Sequence, residues 1–191
     1  MTNSEMRQHI LHQATSLFVE RGYHGIAMRE IAEACGVSKA GLYYYFRDKE
    51  ELFAAILTSY LNELEQSLLT AIAAGETAHA RLAGIVRAIF AQPPDQRQVM
   101  RLATNDLAHL STEARAAFSQ RYYEGFIGRI ETTIQQGIEA GELRAVSSLR
   151  MTWALLGIMY PFFSNPQARE AQDSEELITT LLTIFFDGVA L

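Results

Sequence analysis

Apolar residues recur at helical spacing along almost the whole chain. Between residues 5 and 20 they form the i, i+3, i+4, i+7 stripe of an amphipathic helix, at Ile10, Leu11, Ala14, Leu17 and Phe18. The alternation that indicates strands appears nowhere at length. The same periodicity with its stop signals predicts further helices at 28–34, from 39, from 49 to about 74, 78–91, 96–110, 112–140, 147–163 and 174–189. We therefore expect an all-α protein of about nine helices with no repeat of fixed period.

Composition is that of a folded protein. Of the 191 residues, 49% are hydrophobic and 20% are charged, which is close to the globular average. The longest apolar run, from Trp153 to Phe163, is too short for a membrane span and contains Gly157 and Pro161. The first residues lack the basic and apolar parts of a secretory signal, and the single cysteine, Cys35, fits a reducing compartment. We expect a cytoplasmic protein with no membrane partner.

Charge is distributed unevenly along the chain. The net charge of −6 alone would count against nucleic acid as a partner, because phosphate contacts need a basic surface. Residues 1–49, however, hold six Lys and Arg against five Asp and Glu, and both lysines of the chain, Lys39 and Lys49, lie within them. This difference hints at a separate role for the N-terminal segment.

Residues 28–46 have the pattern of a helix-turn-helix. A short helix precedes Gly36, which can adopt the left-handed conformation that a sharp exit requires. Val37 is placed to plug the core beneath the turn, and Ser38 is a good N-cap for the next helix. On that helix Leu42 and Phe46 lie four residues apart and form its buried side.

The opposite side of this second helix carries small and aromatic residues: Lys39, Ala40, Gly41, Tyr43 and Tyr44. Small residues at the start of a helix let its N-terminal end sit deep in a DNA major groove. Tyrosine hydroxyls and Lys49 suit phosphate oxygens. Two-helix geometry is equally compatible with an ordinary helical hairpin whose lysines are solvated.

A family resemblance favours the DNA-binding interpretation. The N-terminal segment resembles that of the tetracycline-repressor (TetR) family of bacterial transcriptional regulators over about 45 residues, in order and in spacing. The matching positions are Gly22-Tyr23, Ile31-Ala32, Gly36-Val37-Ser38-Lys39, Leu42-Tyr43, Phe46 and Lys49-Glu50-x-Leu52.

The resemblance implies a homodimer that binds a palindromic operator in double-stranded DNA and carries a C-terminal domain for a small-molecule effector. It implies a DNA-binding domain at 1–48 and an effector-binding and dimerisation domain at 49–191. Ser38 opens the reading helix. The groove-facing or base-reading positions are Lys39, Ala40, Gly41 and Tyr43, and the backbone-contacting positions are Tyr44, Tyr45 and Lys49.

One departure from the family pattern concerns the start of the first helix of the motif. The family usually has Thr followed by Ser or Thr there, whereas this chain has Ile26 and Ala27. Neither side chain can cap the helix or offer a hydroxyl to phosphate. The resemblance therefore does not imply a phosphate contact from the start of this helix.

The last two long helices carry more apolar surface than one contact face needs. The helix at 147–163 is apolar nearly all round, and a helix of that kind needs two partners. In the family the final two helices pair with their copies across a dimer interface. The candidate interface residues are Leu155, Phe162, Ile178, Leu182, Phe185 and Val189. The alternative is a fully internal core helix.

The C-terminal part holds most of the aromatic residues, which can line an apolar ligand cavity. The aromatic candidates for ligand binding are Phe90, Tyr123, Phe126, Trp153 and Tyr160. Arg101, Asn105 and His109 lie on one helical stripe and could orient an anionic or polar head group. Plain core packing and a solvated polar face are the respective alternatives.

Motifs of enzymes are missing from the sequence, including Gly-x-Ser-x-Gly, Gly-x-Gly-x-x-Gly and His-Glu-x-x-His. Glu5, His9 and His12 share a helix face but offer no fourth ligand, so solvated side chains are the better interpretation and no metal or cofactor is expected. We predict a non-enzymatic transcriptional regulator, a repressor released from DNA by a small, largely apolar ligand. The alternative is a helical small-molecule-binding protein in which the helix-turn-helix is only a scaffold.

Overall fold

A computed structural model describes residues 2–93, 99, 102–103, 105–164 and 174–189. Within these residues the chain is helical and contains no β-strand, so the all-α prediction is confirmed. None of the described helices is long and apolar enough to cross a membrane. In chain order the elements are α1 (Asn3–Arg21), α2 (Met28–Ala34), α3 (Lys39–Tyr45), α4 (Lys49–Ala74), α5 (Ala78–Phe90), a 3₁₀ turn (Leu107–His109), α6 (Thr112–Tyr122), a π-helical turn (Tyr123–Ile127), α7 (Gly128–Glu139), α8 (Ser148–Met159), α9 (Pro161–Ser164) and α10 (Ser174–Val189).

The chain divides into two compact units. The first comprises Met1–Leu61 and Pro93–Arg121, and the second comprises Asn62–Gln92 and Tyr122–Leu191. The long helix α4 contributes residues to both. The domain boundary predicted between residues 48 and 49 falls inside the first unit, and a separate DNA-binding domain at 1–48 stays a prediction.

In the first unit, α1 begins with a capping box. The Thr2 hydroxyl accepts from the Glu5 backbone N–H at 3.2 Å, and the Glu5 carboxylate accepts from the Thr2 N–H at 2.7 Å. The apolar stripe predicted for this helix faces the core, where Ile10, Ala14 and Phe18 are fully buried. This stripe supports the helix-turn-helix, because α1 packs against α2 and α2 packs against α3.

In the second unit, α7 packs against both α5 and α8, and α10 packs against α5 and α8. Gly137 permits the approach of α7 to α5, since a Cβ atom there would lie 2.5 Å from the Cβ of Ala78. Glu65 on α4 is 7% exposed and accepts two hydrogen bonds from the Arg129 guanidinium on α7, at 2.8 and 3.1 Å. This charged pair ties α4 to α7.

The continuous helix predicted for 112–140 is interrupted by the π-helical turn at Tyr123–Ile127. The turn coincides with a change of environment: α6 has no buried residue, whereas Gly125, Phe126 and Ile127 are buried, as is Ile130 beyond them. A π turn inserts a residue and so rotates the faces of the helix that follows. Sequence periodicity alone does not show such a rotation.

The helix predicted for 147–163 also differs from the structure, because α8 ends at Met159 and α9 begins at Pro161. Proline has no N–H to donate and is tolerated in the first turn of a helix. The break therefore falls where the proline itself requires it.

Candidate DNA interface

The turn between α2 and α3 has the geometry that its glycine predicts. Gly36 has φ of +67°, in the left-handed region that a side chain with a Cβ rarely adopts. The Val37 N–H donates to the Ala32 carbonyl at 3.0 Å, which closes the turn. The two helices of the motif are thereby joined by a short turn that local backbone contacts hold.

Helix α3 is capped and anchored by the residues predicted for those roles. The Ser38 hydroxyl accepts from the Gly41 N–H at 3.0 Å, which satisfies one of the free donors of the first turn. Leu42 is fully buried and Phe46, just beyond the helix, is 1% exposed. The buried side of α3 is therefore narrow, and the rest of its surface is available to a partner.

The outward side of α3 carries the predicted contact residues. Lys39 and Ala40 are exposed, as are Tyr43 at 41% and Tyr44 at 74%, while Gly41 and Tyr45 are half-buried. The Lys39 ammonium lies 5.9 Å from the Tyr43 ring centroid, within reach of a cation–π contact. This face offers an ammonium and phenol hydroxyls beside small residues, and these groups can donate to base edges and phosphate oxygens.

Lys49 is held by the loop between α1 and α2. Its ammonium donates to the Ile26 carbonyl at 2.8 Å and lies 4.6 Å from the centroid of the Tyr23 ring. Partial burial lowers the pKa of Lys49 from its ordinary value, and the negative charge of Glu30 opposes that shift. Because a lysine ammonium has three N–H donors and the carbonyl uses one, the group is both fixed in place and able to bind an anion.

The start of α2 uses a cap that the side chains of Ile26 and Ala27 do not provide. The Glu30 carboxylate accepts from the Ala27 N–H at 2.8 Å. A glutamate three residues after the cap position is the sequence pattern that indicates such a contact. Ile26 is buried, and its carbonyl holds Lys49. The Glu30 carboxylate thus satisfies the backbone N–H of Ala27, but the start of α2 offers no side-chain hydroxyl to a phosphate.

Several arginines of this unit have acidic neighbours. Arg47 lies 3.3 Å from Asp48 and 3.5 Å from Glu51, and Arg29 lies 3.4 Å from Glu33. All these groups are exposed, so each pair is weak and can be exchanged for a phosphate contact.

The ligand candidates belong to both units. Asn105 and His109 are exposed and belong to the first unit, and Arg101 lies outside the described residues. The aromatic candidates belong to the second unit, where Phe90 and Phe126 are buried while Tyr123, Trp153 and Tyr160 are 47%, 52% and 59% exposed.

Within the second unit, Phe126 contacts the Tyr122 ring at 5.3 Å, and burial raises the pKa of Tyr122 to about 12. The Tyr123 hydroxyl donates to Glu131 at 2.8 Å. Of the aromatic residues of the second unit, Tyr122 and Phe126 are therefore in contact at the π-helical turn, and Phe90 is buried on α5.

The interface candidates lie mostly on the inner side of their helices. Leu155, Ile178, Leu182 and Phe185 are at most 6% exposed within the single chain, which leaves them little surface for a second molecule. Phe162 is half-buried, and the side chain of Val189 lies outside the described part. The large apolar side chains that α8 and α10 expose are Leu149, at 39%, Trp153, at 52%, and Ile184, at 58%, with Tyr160 just beyond α8. Because both helices are apolar on two faces, periodicity could not tell which face the core would take.

Among the described residues, no group of three or more His, Cys, Asp or Glu is placed to hold a metal ion. Glu5, one of the three residues considered for such a role, is engaged in the cap of α1.

The N-terminal segment matches a known family. Residues 10–56, which contain most of α1, all of α2 and α3 and the start of α4, match the family model described as bacterial regulatory proteins, tetR family. This segment is therefore similar to the DNA-binding segment of TetR-family transcriptional regulators.

Two curated TetR-family relatives are similar over different lengths. The transcriptional activator FasR of Mycolicibacterium smegmatis is 37% identical over 47% of this chain, which is 41% of FasR itself. The transcriptional repressor DhaR of Mycobacterium sp. (strain GP1) is 27% identical over 75% of this chain and 73% of DhaR.

A solved structure shows that the likeness of fold extends beyond the matched motif. AibR, crystallised in complex with isovaleryl coenzyme A and operator DNA, superposes with a TM-score of 0.80 at 24% identity, covering 94% of this chain and 97% of AibR. The residues outside the matched segment therefore share the fold of AibR.

The cap of α3 generates a prediction. Ser38→Ala removes the acceptor for the Gly41 N–H and should lower the free energy of unfolding by about 1 kcal/mol. Ser38→Asp keeps an acceptor at the cap and should remain near the wild-type stability. Urea unfolding followed by circular dichroism measures both. A Ser38→Ala protein as stable as the wild type would show that the cap does not hold α3.

Proposed function

We propose that this chain represses transcription by placing α3 in the major groove of a palindromic operator, as a homodimer, and leaves the DNA when a small, largely apolar ligand binds its second unit. The observation that carries the DNA-binding part is the capped α3, whose outward side presents Lys39, Tyr43 and Tyr44 around the small residues Ala40 and Gly41. Recognition helices of helix-turn-helix proteins contact bases with their N-terminal residues.

The positions of the contact residues favour base contacts for some and backbone contacts for others. Lys39 lies at the first position of α3 and is free to turn toward base edges, where a lysine pairs well with guanine O6 and N7. Lys49 is fixed by the Ile26 carbonyl and the Tyr23 ring, which suits a phosphate contact of constant geometry. Tyr44 and Tyr45 contact each other edge-to-face at 5.1 Å, and their hydroxyls are suited to the same backbone.

A second subunit is proposed from the exposed apolar surface of α8 and α10. Trp153 and Tyr160 lie seven residues apart and so share a face, and Ile184 is the exposed apolar residue of α10. Large apolar side chains exposed on neighbouring helices are typical of an interaction site. A two-fold dimer would cover them and present two copies of α3 to adjacent half-sites.

The ligand part of the proposal rests on the interior of the second unit and on a neighbour. Phe126 is buried within the π-helical turn and contacts the Tyr122 ring, and such turns are frequent at functional sites. AibR, which shares the fold, was crystallised with isovaleryl coenzyme A as well as with operator DNA. We propose a ligand with a short apolar chain, of which an acyl thioester is the first to test.

Substitution of the two lysines tests the DNA contacts. Lys39→Ala should cost about 1–3 kcal/mol on the preferred duplex and relax its sequence preference, because a base contact is lost. Lys49→Ala should weaken all sequences alike and reduce the salt slope by about one, because a phosphate contact is lost. Fluorescence-anisotropy titrations at several salt concentrations measure both, with a duplex that the purified chain enriches from a random pool.

The matched control is Arg150→Ala, which removes one exposed positive charge from α8 in the second unit. Its affinity should equal that of the wild type. Circular dichroism confirms that each variant is folded. Unchanged affinity in both lysine variants would contradict the DNA interface.

Charge on the exposed face tests the dimer. Trp153→Glu and Ile184→Glu should convert a particle of two chains into one of a single 21.4 kDa chain, because each places a charge in an apolar contact. Light scattering measures the mass. Val146→Glu, at a residue that is 49% exposed outside the helices, is the control and should remain dimeric. A Trp153→Glu protein that stays dimeric and binds DNA normally would place the interface elsewhere.

The ligand is tested by competition with DNA. Isovaleryl coenzyme A and straight-chain acyl thioesters are titrated into the protein–DNA complex, with coenzyme A alone as the control. To lower the DNA affinity a hundredfold, a ligand must bind the DNA-free conformation of the protein more tightly than the DNA-bound one by about 2.7 kcal/mol. Burial of an apolar chain can supply this difference. Thioesters that raise the melting temperature of the chain and leave DNA affinity unchanged would contradict ligand-controlled release.

A further inference from the structure

Two histidines far apart in sequence meet in the first unit. His24, in the loop between α1 and α2, places its Nε2 3.0 Å from the Nδ1 of His109, at the end of the 3₁₀ turn. The two ring centroids are 4.0 Å apart and the rings are nearly perpendicular. His109 also stacks on Tyr23, with 5.4 Å between ring centroids and 14° between ring planes. We call His24 and His109 the histidine pair.

Neighbouring contacts join the same two segments. Asp106 accepts from the Tyr23 backbone N–H at 3.4 Å, and its other carboxylate oxygen lies 3.5 Å from the Nε2 of His109. At the far end of the segment, the Glu50 carboxylate accepts from the Ser111 N–H at 2.9 Å. Residues 106–111 are thus attached to the loop and to the start of α4.

These contacts connect the histidine pair to Lys49, the proposed phosphate contact. The Tyr23 ring that stacks on His109 also lies against the ammonium of Lys49, and the loop carbonyl of Ile26 accepts from that ammonium. A change in the histidine pair therefore acts on the loop that positions Lys49.

We propose that the histidine pair is a proton-sensitive latch that holds the α1–α2 loop in its DNA-binding position and opens on acidification. The proposal rests on the function proposed above and adds a regulation of that site. It follows from the chemistry of the 3.0 Å contact between two ring nitrogens.

The number of protons on the two rings decides whether the contact can exist. When both rings are neutral, one nitrogen of the contact donates its N–H and the other accepts with its lone pair. One added proton preserves this arrangement, because an imidazolium can donate to a neutral imidazole, and the Asp106 carboxylate then balances the charge. A second proton occupies the last lone pair, so two N–H groups and two positive charges face each other and the rings separate.

Charged and titratable groups face the pair from each element around it. The Asp106 carboxylate lies 3.5 Å from His109, and the ammonium of Lys49, at the start of α4, lies against the Tyr23 ring on which His109 stacks. Burial raises the pKa of Tyr23, and the negative charges of Glu50 and Asp48 raise it further, so Tyr23 is neutral near neutral and mildly acidic pH. Glu30 acts on Lys49 from α2. Both histidines are exposed, so protons reach them from solvent.

The direct test observes the contact by NMR in the full chain labelled with [¹³C]histidine, with signals assigned by single substitutions. A nuclear Overhauser effect between the ring protons of His24 and His109 should be present at pH 8 and absent at pH 5. Its persistence at pH 5 would overturn the proposal, as would its absence at pH 8. This readout needs no DNA, so it judges the latch even if no duplex binds.

The functional test compares DNA affinity at the two pH values. His24→Gln keeps a hydrogen-bonding side chain but cannot take a proton, and His12→Gln removes an exposed histidine from α1 as the matched control. On acidification the wild type and His12→Gln should lose about threefold to tenfold more affinity than His24→Gln, the size expected for one lost hydrogen bond. Equal losses in all three proteins would overturn the link between the latch and DNA.

Discussion

Contact among the rings of Phe18, Tyr23 and Phe53 is the interaction on which the first unit depends. Phe18 and Phe53 are fully buried with ring centroids 5.3 Å apart, and Tyr23 contacts both, at 6.1 and 5.1 Å. One ring comes from α1, one from the loop and one from α4, so the cluster fixes the position of all three. The loop in turn sets Lys49 and receives His109, and α1 supports α2 and α3. Loss of these rings would therefore disturb the positions of Lys49, His109 and α3 in the first unit.

The helix-turn-helix could be predicted from sequence because its determinants are local. Gly36 and Ser38 act within a few residues of themselves, through a backbone conformation and a cap. Leu42 lies where its spacing placed it, in the core. The cap of α2 is also encoded locally, in Glu30, three residues after Ala27, which has no hydroxyl of its own.

Features that depend on distant contacts were not predictable in the same way. The pairing of His24 with His109 joins residues 85 positions apart, and no periodicity records it. The apolar faces of α8 and α10 were recognised as excessive, but the core took Leu155 and Leu182 and left Trp153 and Ile184 outside. Two apolar faces on one helix are equivalent in sequence until the partner helices are in place.

We propose that two copies of α3 read adjacent half-sites in DNA. Sequencing of the duplexes that the purified full chain retains from a random pool tests this proposal. The retained duplexes should share a two-fold symmetric motif whose half-site centres are separated by about one helical turn, or a multiple of it. A pool that shows no enriched motif after repeated selection, while the protein remains folded, would contradict it.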